Sequence, residues 1–189
     1  MIPGRLLQVQ VFPVKSVPGL SLPAVEVRAE GLLGDRGFVL ASGTETLVAK
    51  HHPALRSLAL DGPPGAPRVA APPAGPGDLR AVAARLGLAE VHLEPVTGGA
   101  RQVAAVHVVT LRARRVEGAG DSSRANLVLD TDGWPEDPVE GDVLEVGPVT
   151  LRLGATPRHC AGSFAEVLRP GRVGVGDAVR RRNPVGGPG

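Results

Sequence analysis

The sequence contains no tyrosine, one tryptophan and three phenylalanines in 189 residues. Such a chain offers few ring platforms on which bases could stack, so a β-barrel module for nucleic acid is the least favoured reading. Its core has to be built from Val, Leu and Ala, a composition that favours β-structure with modest helix. Cysteine is nearly absent too: Cys160 stands alone, which excludes an intrachain disulfide and leaves no cysteine set for a zinc site or an iron–sulfur cluster. Lysine occurs at positions 15 and 50 alone, and arginine supplies the other cations. With 21 basic and 19 acidic residues the net charge is +2, which is no electrostatic footprint for a polyanion.

Other absences narrow the function classes. There is no run of 18 apolar residues and no signal-like start, so the expectation is a soluble, cytoplasmic protein without membrane contact. No G-x-S-x-G, no G-x-x-x-x-G-K-[ST] and no strand–G-x-G-x-x-G–helix is present, which removes support for hydrolase, P-loop and dinucleotide-binding readings. The histidines at 51, 52, 92, 107 and 159 show no i, i+4 spacing, so a histidine-based zinc site is not expected.

What the chain has in abundance is glycine and proline, 26 and 19 residues, too many for a helical bundle. They cluster at 61–78, read as a loop or flexible insertion, and in the tail. Eleven short apolar runs separated by Gly, Pro and Asp predict a barrel or sandwich, beginning with "LLQVQVF" and "AVEVRAE", which alternate at the period of half-buried strands. The later runs include "TLVAK", "LRSLALD" and "RVGVGDAV". One segment, "GDLRAVAARLGL", spaces Leu79, Val82, Ala83 and Leu86 helically, with Asp78 as N-cap and Gly87 as stop. A second short helix is predicted from Thr110 towards Gly118.

Five stretches carry candidate chemistry. In "VFPVKSVPG", Lys15 and Ser16 follow a strand end, where a cation and a hydroxyl can hold an oxyanion, although a solvated turn lysine is the commoner meaning. In "EGLLGDRGFVL", Arg36 offers a planar five-donor fork suited to phosphate or a pterin edge, against the alternative of a local pair with Asp35. In "VHVVTLRARR", a helix beginning after Thr110 would present main-chain N–H groups to an anion, or would simply be capped. In "DSSRANLVLD", Arg124 and Asn126 stand just before or within a buried-looking strand, and at i, i+2 on a strand both could point at one ligand. In "TPRHC", Arg158 and His159 precede Cys160 in a Pro-led loop; neighbouring cations favour a thiolate, which is a nucleophile or soft-metal ligand, whereas many lone cysteines are small buried hydrophobes.

The order of these pieces, from "FPVKS" through "GLLGDRGFVL", "HVVT" and "RANLVLD" to "PRHC" and "GVGDAV", resembles the MOSC family, named from the C-terminal domain of molybdenum cofactor sulfurases, together with its N-terminal β-barrel partner. The resemblance covers about residues 5 to 181. It implies a mainly β, barrel-rich fold with one or two short helices: an N-terminal β-barrel subdomain over 1–95, a MOSC domain over 96–182 and a disordered tail over 183–189. It implies a molybdenum cofactor (molybdopterin), anchored by Lys15, Ser16, Arg36, Thr110, Arg124, Asn126 and Arg158, with Cys160 as molybdenum ligand and catalytic residue. His159 stands between Arg158 and Cys160 where the family often reads Arg-Cys, and "AGSF" replaces a hydroxyl-rich stretch, leaving Ser163 and an acidic Glu166.

Three functions are compatible with that resemblance. The first is an oxidoreductase acting on small substrates such as N-hydroxylated compounds, fed by a separate electron-donor protein. The second is a sulfur carrier in which Cys160 cycles through a persulfide with a sulfur-donor protein. The third is a non-catalytic barrel module.

Overall fold

The computed structural model describes residues 3–96, 105–116, 123–158 and 160–182. In chain order its strands are β1 (Gly4–Val11), β2 (Leu20–Leu22), β3 (Ala24–Arg28), β4 (Gly31–Leu32), β5 (Phe38–Ser42), β6 (Glu45–Thr46), β7 (Ala59–Asp61), β8 (Arg68–Ala70), β9 (His92–Pro95), β10 (Val106–Thr110), β11 (Leu127–Asp130), β12 (Val143–Val146), β13 (Val149–Leu153), β14 (Ser163–Arg169), β15 (Gly171–Gly174) and β16 (Ala178–Arg182). Two helices, α1 (Leu79–Leu86) and α2 (Leu111–Arg115), and a 3-10 turn at Pro53–Ser57 complete the described elements. The protein is mainly β. Among the described residues no helix is long and apolar enough to cross a membrane.

The chain divides into two units, one comprising Met1–Gln10, Ser21–Leu33 and Gln102–Gly189, the other Val11–Leu20 and Gly34–Arg101. The first unit holds a closed seven-stranded barrel in the order β11, β10, β14, β13, β12, β16, β1, with β11 pairing back onto β1. Closure is antiparallel, with Leu6 opposite Leu129 and Val9 opposite Leu127. Alternation decides which side chains point inward: along β12, Leu144 and Val146 are buried while Val143 and Glu145 are half-exposed. Leu6, Val9, Leu127, Leu129, Leu144 and Leu151 are fully buried, so branched aliphatic side chains fill space that aromatic rings fill elsewhere. Each such burial stabilises by about 1.5–3 kcal/mol relative to an exposed side chain.

One barrel pair, β10 with β11, is parallel, registering Val108 with Leu127 and Thr110 with Leu129. Parallel neighbours need a crossover rather than a hairpin, and α2 begins that crossover. A small antiparallel sheet, β15–β3–β4, belongs to the same unit and sets Val25 against Val173.

The second unit packs the sheet β6–β5–β9, the hairpin β7–β8 and α1 around Val14, Leu40, Leu47, Leu55, Val69 and Val82. Asp78 caps α1 as its sequence predicts, accepting from the Ala81 amide at 3.0 Å. Gly87 ends the helix in the left-handed conformation, φ 70°.

Several predicted runs are redrawn. "TLVAK" keeps only Thr46 in a strand, because Leu47 turns inward to be fully buried in the core. "LRSLALD" starts as the 3-10 turn, initiated by Pro53, before β7 begins at Ala59. "RVGVGDAV" is two strands, β15 and β16, broken by a turn at Val175–Gly176. The loop read over 61–78 contains β8, whose Val69 is 1% exposed and pairs with Leu60. β14, absent from the predicted runs, is a seven-residue barrel strand. The predicted end of the second helix at Gly118 and the tail 183–189 lie outside the described residues.

Candidate functional site

Lys15, Ser16 and Arg36 fall in the second unit, on two neighbouring turns. Phe38 N donates to Pro13 O at 2.9 Å, Lys15 N to Phe38 O at 3.0 Å and Arg36 N to Phe12 O at 2.8 Å. Asp35 fastens the pair: its Oδ1 accepts from Phe12 N at 2.6 Å, and its Oδ2 stands 3.7 Å from Arg36 Nε. The carboxylate therefore both joins the turns and orients the guanidinium.

The backbone at these turns is unusual. Ser16 (φ 67°) and Arg36 (φ 55°) are the two non-glycine residues with positive φ among those described. A left-handed residue bearing a Cβ costs about 1–2 kcal/mol, and such strain gathers where a side chain must be aimed rather than merely accommodated. Lys15, Ser16 and Arg36 are all half-buried.

The remaining candidates lie in the barrel unit. Thr110 ends β10, is 5% exposed, and its Oγ1 caps α2 by accepting from Ala113 N at 3.0 Å. Arg124 and Asn126 stand just before β11. Asn126 is fully buried, with Oδ1 accepting from His107 N at 3.0 Å and Nδ2 donating to Gln10 O at 3.2 Å. Both ends of its amide thus join strands of the barrel. Arg158 is exposed, and Cys160 is half-buried. His159 lies outside the described residues.

The turn after Cys160 is pressed against β10. At Gly162, φ is 94° and an added Cβ would meet Val108 O at 2.2 Å, so the position requires glycine. This turn and β10 bound a cleft of about 200 Å³ that presents the Thr110, Thr156 and Ser163 hydroxyls and the Asp137 carboxylate. Thr110 and the turn carrying Cys160 are thereby brought together. Glu166 lines a different cleft, of about 430 Å³, where it pairs with Arg152 at 3.3 Å.

Sequence reasoning passed over His107. It is 3% exposed and its ring reaches carbonyl oxygens on both sides, Nδ1 to Arg124 O at 3.3 Å and Nε2 to Ala161 O at 2.8 Å. The one available signal was a histidine inside an otherwise apolar strand, "VHVVT".

Residues 3–93 match the profile of the MOSC N-terminal beta barrel domain. The MOSC segment thus contains Lys15, Ser16 and Arg36, together with β1, which the barrel unit also uses. Among curated proteins none matches. A solved structure, the YUAD protein from Bacillus subtilis, is 12% identical with 94% of each chain covered and a TM-score of 0.49.

The donors fit a molybdopterin in kind. In the second unit, half-buried Lys15 and Arg36 carry N–H groups of the kind that suits a phosphate. In the barrel unit, the half-buried Cys160 thiol is of the kind that suits a soft metal. Gln10 Oε1 is buried without a hydrogen-bond partner, an acceptor suited to a ring N–H. Among the described residues no three His, Cys, Asp or Glu side chains cluster as metal ligands.

Proposed function

We propose that this protein binds a molybdenum cofactor and acts as an oxidoreductase on small substrates such as N-hydroxylated compounds, with Cys160 as the molybdenum ligand. The observation that carries the proposal is the pair of left-handed non-glycine residues, Ser16 and Arg36, on hydrogen-bonded turns within the MOSC N-terminal segment. The family's association with the molybdenum cofactor supplies the ligand class.

In this reading Lys15, Ser16 and Arg36 anchor a phosphate, Arg124 and Arg158 add charge-assisted donors, and Thr110 shapes the cleft beside the Cys160 turn. Asn126 holds the segment that carries Arg124. When bound, the cofactor supplies two-electron redox chemistry. Reduction of an N–OH group to N–H consumes two electrons and two protons and releases water. With one cysteine in the chain, those electrons come from a separate donor protein.

Expression in a host that makes the cofactor, followed by elemental analysis for molybdenum and pterin fluorescence after oxidation, tests the proposal. Near-stoichiometric molybdenum and pterin are expected, with metal lost in Cys160→Ser while the fold persists. For Arg36→Ala, loss of one charged multi-donor contact worth about 1.5–3 kcal/mol should lower cofactor retention. Pterin without metal, together with a labile sulfur adduct on Cys160, would favour the sulfur-carrier reading. Well-folded protein holding neither would sink both.

A further inference from the structure

His107 is the second residue of β10, and its main chain is locked to Asn126 in both directions. Its ring packs against Phe164 with centroids 5.7 Å apart and planes inclined at 58°, which fixes its orientation. Both ring nitrogens then face main-chain carbonyl oxygens, those of Arg124 and Ala161. Carbonyl oxygens only accept, and a neutral imidazole carries one N–H. The contact to Ala161 O, 2.8 Å, is the shorter and that to Arg124 O, 3.3 Å, the longer, so a proton on Nε2 would serve the stronger of the two.

We infer that His107 is a positioning residue for Cys160. Its Nε2–H anchors the carbonyl immediately after the cysteine, while its main chain anchors Asn126 beside Arg124. One buried residue, through its ring and its main chain, therefore sets the thiol turn relative to the arginine segment. The inference deepens the cofactor reading and rests on it for its purpose, but the anchoring is testable without any cofactor.

The experiment compares His107→Gln with His107→Asn. The Gln amide nitrogen takes the place of Nε2 and can still donate to Ala161 O; the Asn amide nitrogen takes the place of Nδ1 and cannot. Cys160 is the only thiol, so iodoacetamide labelling followed by mass reports on it alone. In cofactor-free protein, His107→Gln should label at a rate near wild type. His107→Asn should label faster by roughly five- to tenfold, the change expected when one hydrogen bond holding a turn is lost. Molybdenum per chain should follow the same split, retained in Gln and reduced in Asn.

Equal labelling rates in two folded variants would overturn the inference, whatever the metal content. Absence of molybdenum from wild type would instead count against the cofactor reading and leave the labelling result standing. Should neither variant fold, nitrogen NMR of the wild-type ring decides: a proton on Nε2 supports the anchor, and a proton on Nδ1 alone overturns it.

Discussion

His107 and Asn126 are bonded twice across β10 and the start of β11: Asn126 N donates to His107 O at 2.8 Å, and His107 N donates to Asn126 Oδ1 at 3.0 Å. The second bond replaces a main-chain acceptor with a side chain, so a carboxamide takes part in the barrel ladder. Its Nδ2 extends the link to Gln10 on β1, making Asn126 a junction of three strands.

Asn126→Ala should therefore act on stability. It leaves the buried His107 N–H without its acceptor, at about 1–3 kcal/mol, and removes a donor from the part-buried Gln10 carbonyl. A urea midpoint lowered accordingly, without change in slope, is the expected result.

Ser16→Gly should separate stability from binding. Glycine adopts φ 67° freely, so the folded state gains about 1 kcal/mol from relieved strain, partly offset by the greater freedom of the unfolded chain. Thermal midpoint should hold or rise while retained molybdopterin falls.

Gly162→Ala should displace the thiol turn, since its Cβ has no room beside Val108 O. Overpacking of this kind costs about 1–3 kcal/mol. Calorimetry should register the loss, and Cys160 should label at an altered rate.

Asp78→Ala should weaken the second unit by about 0.5–2 kcal/mol through loss of the Ala81 N–H cap. Cys160 labelling should be unchanged, which makes this variant a control for the barrel mutants.

The parts of this fold legible in the sequence were those written locally. Asp78 and Gly87 mark α1 because caps are read within a turn, and Thr110 marks α2 for the same reason. Alternation exposed β1 and β3. Barrel closure was not legible, because the pairing of Leu6 with Leu129 joins residues with no local signature of each other. β14 was hidden by its outward Leu168 and by its start directly after the cysteine turn, and Leu47 passed for a strand residue because burial alone does not distinguish strand from loop. Among site residues, Ser16 and Arg36 were legible by type but not by conformation. Asn126 was legible as polar, but its engagement with β1 depends on long-range pairing. His107 was invisible because every residue of β10 is buried, which erases the alternation that would have marked its face.

The closure of the barrel also fixes an order of assembly during synthesis. β1 has β2 close behind it in the chain, but its barrel partners β11 and β16 lie more than a hundred residues downstream, so the groups that close the barrel wait through translation. The second unit, contained within residues 11–101, has all its strands before the barrel's next strand is made. It can therefore form early, while the high-contact-order closure of the barrel becomes the slow step.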